Sequence, residues 1–205
     1  MDETWKWFHL TTHTYGAWLY GSPRSFRTRH HCEHIEGDYK NPPPPGKYDK
    51  QFQRSKRLLK QEPVKLSPEW RKVIGLALIE KLQALGAQVL TVCVGATHIH
   101  VLAKMPPGPV PRTWVGRAKK HAHFICKEKG WTGKLWAIRG KVQPIKDRQH
   151  QLNTFQYILD HIHEGAWVWD FRKGEIVVEE SPGTAVPGLS ENSSISPGTA
   201  VPESQ

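Results

Sequence analysis

The sequence predicts an α+β sandwich of ferredoxin-like type, a central antiparallel sheet with helices packed on it. Three observations carry this expectation. Residues 89–94 and 98–103 are alternating apolar runs joined by Gly95-Ala96-Thr97, which predicts a hairpin with a short glycine-containing loop. Helical apolar spacing appears on both sides of that hairpin, and strand-like segments lie before the first helix and after the second.

The elements follow in order. Residues 5–15 (WKWFHLTTHTY) are aromatic and β-branched and predict an opening strand. Residues 21–65 break the pattern with Gly21-Ser22-Pro23, a His30-His31-Cys32-Glu33-His34 cluster, four prolines from Pro42 to Pro45 and a basic stretch. They are expected to form an extended, surface-lying insertion. Ser67-Pro68-Glu69 is a helix start with a capping oxygen, a proline at the first position and an early acid. Trp70, Ile74, Ala77, Leu78 and Leu85 then recur at helical spacing until Gly86 ends the run. After the hairpin, a helix over 113–129 turns Val115, Ala118, Ala122 and Ile125 inward, and Gly130 stops it. Residues 134–145 suggest one or two short strands interrupted at Gly140, and a last helix is expected over 148–164, before Gly165. The tail repeats SPGTAVP at 181 and 196. The expected organisation is one domain over 1–173 and an acidic, disordered tail over 174–205.

Charge narrows the partners. The net charge is +10, but the tail holds five acids and no Lys or Arg, so residues 1–173 carry 29 basic against 14 acidic side chains, +15. An excess of that size attracts polyanions through counterion release, and nucleic acid is the commonest of them. Ten Lys and Arg against three acids in 40–72, and eleven against two in 112–148, form two long stretches suited to a phosphate track. Candidate contacts are Arg54, Lys56, Arg57, Arg117, Lys119, Lys120, Arg139 and Lys141, with Trp114, Trp131 or Trp136 stacking unpaired bases. The competing role for each tryptophan is core packing, more so for Trp136 than for Trp114. The absence of an 18-residue apolar run or a charged-then-apolar leader argues against a membrane partner or export. Cys32, Cys93 and Cys126, odd in number and scattered, suit reduced cytoplasmic thiols.

His98 and His100 stand at i and i+2 on a strand, so they share a face while Ile99 and Val101 turn to the core. Neutral imidazoles bind Mn²⁺, Co²⁺ or Zn²⁺ well and Mg²⁺ tolerably when waters and phosphate oxygens complete the shell. Two further such pairs, His121/His123 and His161/His163, fall on predicted helices, where the spacing points the rings apart. On the last helix, Leu152, Phe155, Ile158, Leu159 and Ile162 share one side, and His150, Tyr157, His161 and Glu164 the other. Tyr157 stands one turn before His161 with no packing duty. As a nucleophile its phenol needs a cation and acceptors beside it; otherwise it is an exposed tyrosine on an amphipathic helix. The 30–34 cluster has no second half at zinc-ligand spacing, which favours a solvated loop. His9-Leu10-Thr11 is a lone H-x-[ST] motif, one short of what a two-histidine phosphoesterase needs.

In combination, the His98-Ile99-His100 strand running into Leu102-Ala103-Lys104-Met105, the basic helix VGRAKKHAHFI, the Leu135-Trp136 strand and the downstream helix FQYILDHIHEGAW resemble the single-tyrosine HUH transposases of insertion sequences and REP-associated elements. The resemblance spans about Trp5 to Trp169, with 21–65 inserted. It implies that His98, His100 and the residue one turn after the tyrosine, here His161, hold Mg²⁺ or Mn²⁺. It further implies that Tyr157 attacks the scissile phosphate of single-stranded or hairpin DNA, giving a 5′-phosphotyrosine and a free 3′-hydroxyl. A homodimer with sites completed in trans, in a bacterial cytoplasm, is also implied. His161 departs from the Gln or Asn that family usually carries. The alternative is a domesticated relative on the same fold that binds single-stranded or hairpin DNA without cutting it.

Overall fold

Alternation along the strands sets the frame. The computed structural model describes residues 4–22, 46–108 and 110–177. In β1 (Lys6–Thr14), Leu10, Thr12 and Thr14 are buried, whereas His9, Thr11 and His13 take the opposite face. In β3 (His98–Met105), Ile99, Val101, Ala103 and Met105 join the main core, and His98, His100 and Leu102 point the other way. β2 (Gln88–Val94) pairs with β3 through the Gly95–Thr97 loop. With β4 (Trp136–Pro144), β5 (Trp167–Asp170) and β6 (Gly174–Ile176), the described residues form an antiparallel sheet of six strands in the order β4-β1-β3-β2-β5-β6. The first four give the ferredoxin-like arrangement expected from the sequence.

Two helices cover one face. α2 (Pro68–Ala84) buries Ile74, Ala77, Leu78, Ile79 and Leu82, and α3 (Pro111–Glu128) buries Trp114, Val115, Ala118, Ala122 and Cys126, all within one core with Leu10, Val92, Ile99 and Val101. On the other face lies α4 (Arg148–Asp160). Asp147 caps it by accepting from the His150 backbone N–H at 2.7 Å, and Ile158 meets Cys93, Leu102 and Val168 in a smaller second core. The sheet is therefore covered on both faces, and the histidines of β1 and β3 lie on the α4 side.

Several expectations are corrected. The 21–65 segment is not wholly extended, because Asp49–Arg57 forms a helix, α1. It buries no residue, so no apolar period announced it. Residues 23–45, with the His/Cys cluster and the proline run, lie outside the described residues. The 134–145 segment is a single strand, with its irregularity against β1 between Thr12 and Thr14. The last helix stops at Asp160. A 3-10 turn, His161–Glu164, follows, closed by Gly165 in the left-handed conformation at φ 73°. Leu152 is exposed rather than inward, because the buried row is Gln151, Thr154 and Ile158. β5 and β6 had no counterpart in the sequence reading, and β6 carries the folded unit past the expected boundary at 173. The remainder of the tail, from 178, lies outside the described residues.

Trp167 of β5 packs on Gly75 of α2 so closely that a Cβ there would stand 2.0 Å from Cζ3 and 2.4 Å from Cε3 of the indole. Neither the ring nor the helix backbone can yield by that distance without repacking. Gly75→Ala is expected to destabilise by about 2–3 kcal/mol, a fall in melting temperature of roughly 5–10 °C. Gly116 of α3, with nothing within 4 Å of the added carbon, is the control: Gly116→Ala should melt at or slightly above wild type. Equal melting of the two variants in a thermal scan would refute this account of the packing.

Candidate metal centre

The centre is assembled by register. β1 runs antiparallel to β3 with His13 opposite His98 and Thr11 opposite His100, so three polar side chains of β1 line the face that carries the histidine pair. The end of α4 delivers the rest. Tyr157 occupies its last turn, and His161 opens the 3-10 turn that brings its ring back over the sheet. Arg71 of α2 donates to the carbonyl of Gly165 and so ties down the exit of that turn. Gly95 leaves room for the His98 ring, since a Cβ there would come within 3.1 Å of it.

Three imidazoles converge. One ring nitrogen from each of His98, His100 and His161 lies within 4.8 Å of the other two. Two nitrogens on one ion are separated by at most roughly 4.2 Å, twice a metal–nitrogen bond, so small side-chain rotations close the set. The ring centroids of His100 and His161 are 5.1 Å apart and nearly parallel, and His98 stands 4.9 Å from His161. His98 Nε2 and His161 Nε2 are buried with no hydrogen-bond partner. Buried polar atoms are rarely left so, and a shared cation would satisfy both. His161 Nδ1 meets Glu164 Oε2 at 3.0 Å, the carboxylate–histidine pairing that orients a metal-binding imidazole and leaves Nε2 free.

Electrostatics agree with neutral ligands. Burial, reinforced by His9, His98, His161 and His13 around it, pushes His100 down to about 2. Burial and the neighbouring Lys141, His150 and His161 take His9 to about 4, and burial also lowers His98 and His13. Unprotonated imidazoles are what an ion requires. The two described thiols stay protonated: burial pushes Cys93 up to about 12 and Cys126 to about 11. The Tyr157 ring sits 4.9 Å from His161 and 5.3 Å from His100, nearly perpendicular to both, with the residue 48% exposed. Burial, then Cys93 and Glu164, raise its phenol above the ordinary value, so it is protonated at neutral pH.

Calorimetry with Mn²⁺ tests the triad. His98→Ala, lacking one of three imidazoles, should bind the ion at least tenfold more weakly than wild type. Equal affinities would dismiss the site.

The candidate nucleic-acid contacts disperse. Lys141 is exposed on β4, opposite Thr11 in register, and so belongs to the histidine face. Arg54, Lys56 and Arg57 are exposed on α1, which hangs from the end of β1 through Ser55 donating to the Tyr20 carbonyl at 2.8 Å and the Lys60 N–H donating to the Tyr15 hydroxyl at 2.8 Å. Arg117 and Lys120 are exposed on α3, across the sheet from the triad. The Arg139 side chain lies outside the described residues. Lys119 is a correction: it is 8% exposed and its Nζ donates to the Ala137 carbonyl at 2.7 Å, bracing α3 to β4 rather than facing phosphate. Trp114 is another, since it is 4% exposed in the core, and Trp131 and Trp136 are half-buried. Trp18 is the open one near the site, its ring 6.2 Å from His13.

Two site residues escaped the sequence reading. His9 Nε2 is 2.9 Å and Thr11 Oγ1 3.1 Å from His100 Nδ1. The signal was present, since His9, Thr11 and His13 alternate along β1 as His98 and His100 do along β3.

The fold and site define an antiparallel α+β protein with a three-histidine centre able to hold a metal and a tyrosine beside it. No family model and no curated protein matches the chain. Among solved structures, a REP-associated tyrosine transposase bound to a REP hairpin is similar at 12% identity and a TM-score of 0.46, over 78% of this chain and 68% of that one. The functional reading rests on the side chains described above and not on this likeness. No described helix is long and apolar enough to cross a membrane.

Proposed function

We propose that this chain cuts and rejoins single-stranded or hairpin DNA through Tyr157, with Mg²⁺ or Mn²⁺ held by His98, His100 and His161. The observation that carries the reading is the Tyr157 ring 4.9 Å and 5.3 Å from two of three convergent imidazoles. Such an ion, when bound, polarises a phosphate oxygen and offsets charge at the phosphorus.

The residues supply the rest. Tyr157 Oη attacks phosphorus in line, forming an O–P bond as the bond to the 3′ oxygen breaks. The phenol gives up one proton and the departing 3′ oxygen takes one, so the step balances without a further reactant. The 5′-phosphotyrosine conserves the energy of the original diester, so attack by a 3′-hydroxyl reverses the step and rejoins strands. A phenol held protonated in the free protein stays quiet until DNA brings a phosphate to it. Lys141 lies on the same sheet face and is suited to the phosphate, and the α1 cations extend a track along the end of β1. A homodimer belongs to the same proposal, and sedimentation reads it.

Labelled hairpin DNA incubated with protein and Mn²⁺ should yield a covalent adduct on denaturing gels. Binding should favour unpaired DNA and weaken by tenfold or more between 50 and 200 mM salt, as roughly half a dozen phosphate contacts require. Blunt duplex competing as well as single strand, or an affinity flat with salt, would count against the proposal.

A further inference from the structure

The H-x-T sequence of β1, His9-Leu10-Thr11, has both of its polar residues on one atom. Nδ1 of His100 is 2.9 Å from His9 Nε2 and 3.1 Å from Thr11 Oγ1, while the ring is buried between β1 and α4. A neutral imidazole carries one proton, and which nitrogen holds it decides which nitrogen is free to bind. With Nδ1 engaged on the β1 side, the nitrogen left for the neighbouring rings of His98 and His161 is Nε2. We infer that His9 and Thr11 are positioning residues that hold His100 as its Nδ1–H tautomer, with Nε2 presented to a divalent ion.

The two partners play one role from two directions. His9 Nε2, unprotonated, accepts from His100 Nδ1–H, which places the His9 proton on its own Nδ1. Thr11 Oγ1 accepts alongside it and limits rotation of the ring about its Cβ–Cγ bond. The opposite arrangement, with His9 donating, would put the His100 proton on Nε2 and leave no lone pair for an ion. His161 has the same design built from a carboxylate, its Nδ1 held by Glu164 at 3.0 Å. Two of the three imidazoles are thus oriented by a partner behind them, one from β1 and one from the turn after α4. His9 also stands 6.1 Å from the Tyr157 ring, edge to face, so it helps fix the wall against which the tyrosine rests.

The inference rests on the metal reading of the site, and the test separates the two. Long-range ¹H–¹⁵N spectra of the full chain without metal read the tautomer of each histidine, with the His100 signals assigned by their loss in His100→Gln. Wild type should show His100 protonated at Nδ1, and His9→Leu should move it to Nε2–H or to a mixture. Mn²⁺ calorimetry should then show affinity falling ten- to a hundredfold in His9→Leu and returning to within about threefold of wild type in His9→Gln, whose amide oxygen can accept where Nε2 did. Thr11→Val, nearly isosteric, should lose a smaller factor and serves if His9→Leu does not fold. Metal-free melting of His9→Gln and Thr11→Val between pH 7 and 8 should match wild type. His100 protonated at Nε2 in wild type, or unaltered Mn²⁺ affinity in His9→Leu and Thr11→Val alike, would overturn the role of His9 and Thr11. The predicted tautomer in a wild type that binds no Mn²⁺ would leave the β1 contact standing and sink the metal reading instead.

Discussion

Tyr157→Phe is expected to abolish the covalent protein–DNA adduct while leaving folding and DNA binding nearly unchanged. The residue is 48% exposed, and among the described residues no hydrogen bond of its hydroxyl helps hold α4 to the sheet, where Ile158, Phe155 and Leu159 make the contacts. Removing the oxygen therefore removes the attacking atom and little else. Among the other tyrosines, Tyr15 spends its hydroxyl as acceptor for the Lys60 N–H and packs against the core. Tyr48 precedes α1, Tyr20 lies on the loop after β1, and Tyr39 is outside the described residues. Tyr157 is the described tyrosine whose ring touches the triad. Denaturing gels of wild type, Tyr157→Phe and Tyr48→Phe with labelled hairpin DNA and Mn²⁺ should show adduct in the first and third and none in the second. A drop of 10³-fold or more is expected, since no neighbouring hydroxyl replaces the nucleophile. An adduct persisting in Tyr157→Phe would overturn the mechanism. Its absence from all three across a range of hairpins would favour a protein that binds DNA without cutting it.

What the sequence disclosed about this centre follows from the range of each signal. His98 and His100 were legible because a strand repeats every two residues, and Tyr157 with His161 because a helix repeats every 3.6. Both are local periodicities. That α4 lies on the face carrying those histidines is a nonlocal fact, and the resemblance rather than the spacing anticipated it. His9 and Thr11 were missed for the same reason: their relation to His100 is a matter of β1–β3 register, with some 90 residues between partners. Leu152 and Trp114 mark the limits of the helical wheel. The wheel placed Leu152 inward by its apolarity, whereas α4 buries Gln151 and Thr154 and leaves that leucine 45% exposed. Position 114 faces the sheet, so Trp114 joins the core more fully than Trp136, the reverse of the expected order. Lys119 shares that buried side of α3 because its ammonium reaches a carbonyl of the next strand, a pairing no composition count can register. β5 and β6 are four and three residues long and gain their order from pairing with β2 and with each other.

Acid should destabilise the metal-free protein well before its carboxylates titrate. In the unfolded chain a histidine titrates near 6.5. In the fold, burial, with Lys141 and neighbouring histidines, brings His9 to about 4; burial, with the histidines around it, brings His100 to about 2; and burial lowers His13 and His98. The sign follows from proton counts. Between pH 6.5 and about 4 the unfolded state binds protons that the native state refuses, so stability rises with pH through that window and falls as the medium is acidified. Each such histidine contributes up to about 1.4 kcal/mol per pH unit. His9 and His100 carry most of the effect, because the partly exposed His13 and His98 are screened by solvent. From pH 7 to 5 the loss should be on the order of 3 kcal/mol, a fall in melting temperature of about 10 °C, with little change between pH 8 and 7. The measurement is a series of thermal scans in EDTA across that range. His9→Gln, with one fewer titrating ring, should follow a shallower slope below pH 6.5. A melting temperature flat from pH 7 to 5, or rising on acidification, would mean that these rings are charged or solvated in the fold. The neutral three-imidazole centre from which the chemistry of this chain is argued would then not exist at the pH where DNA is met.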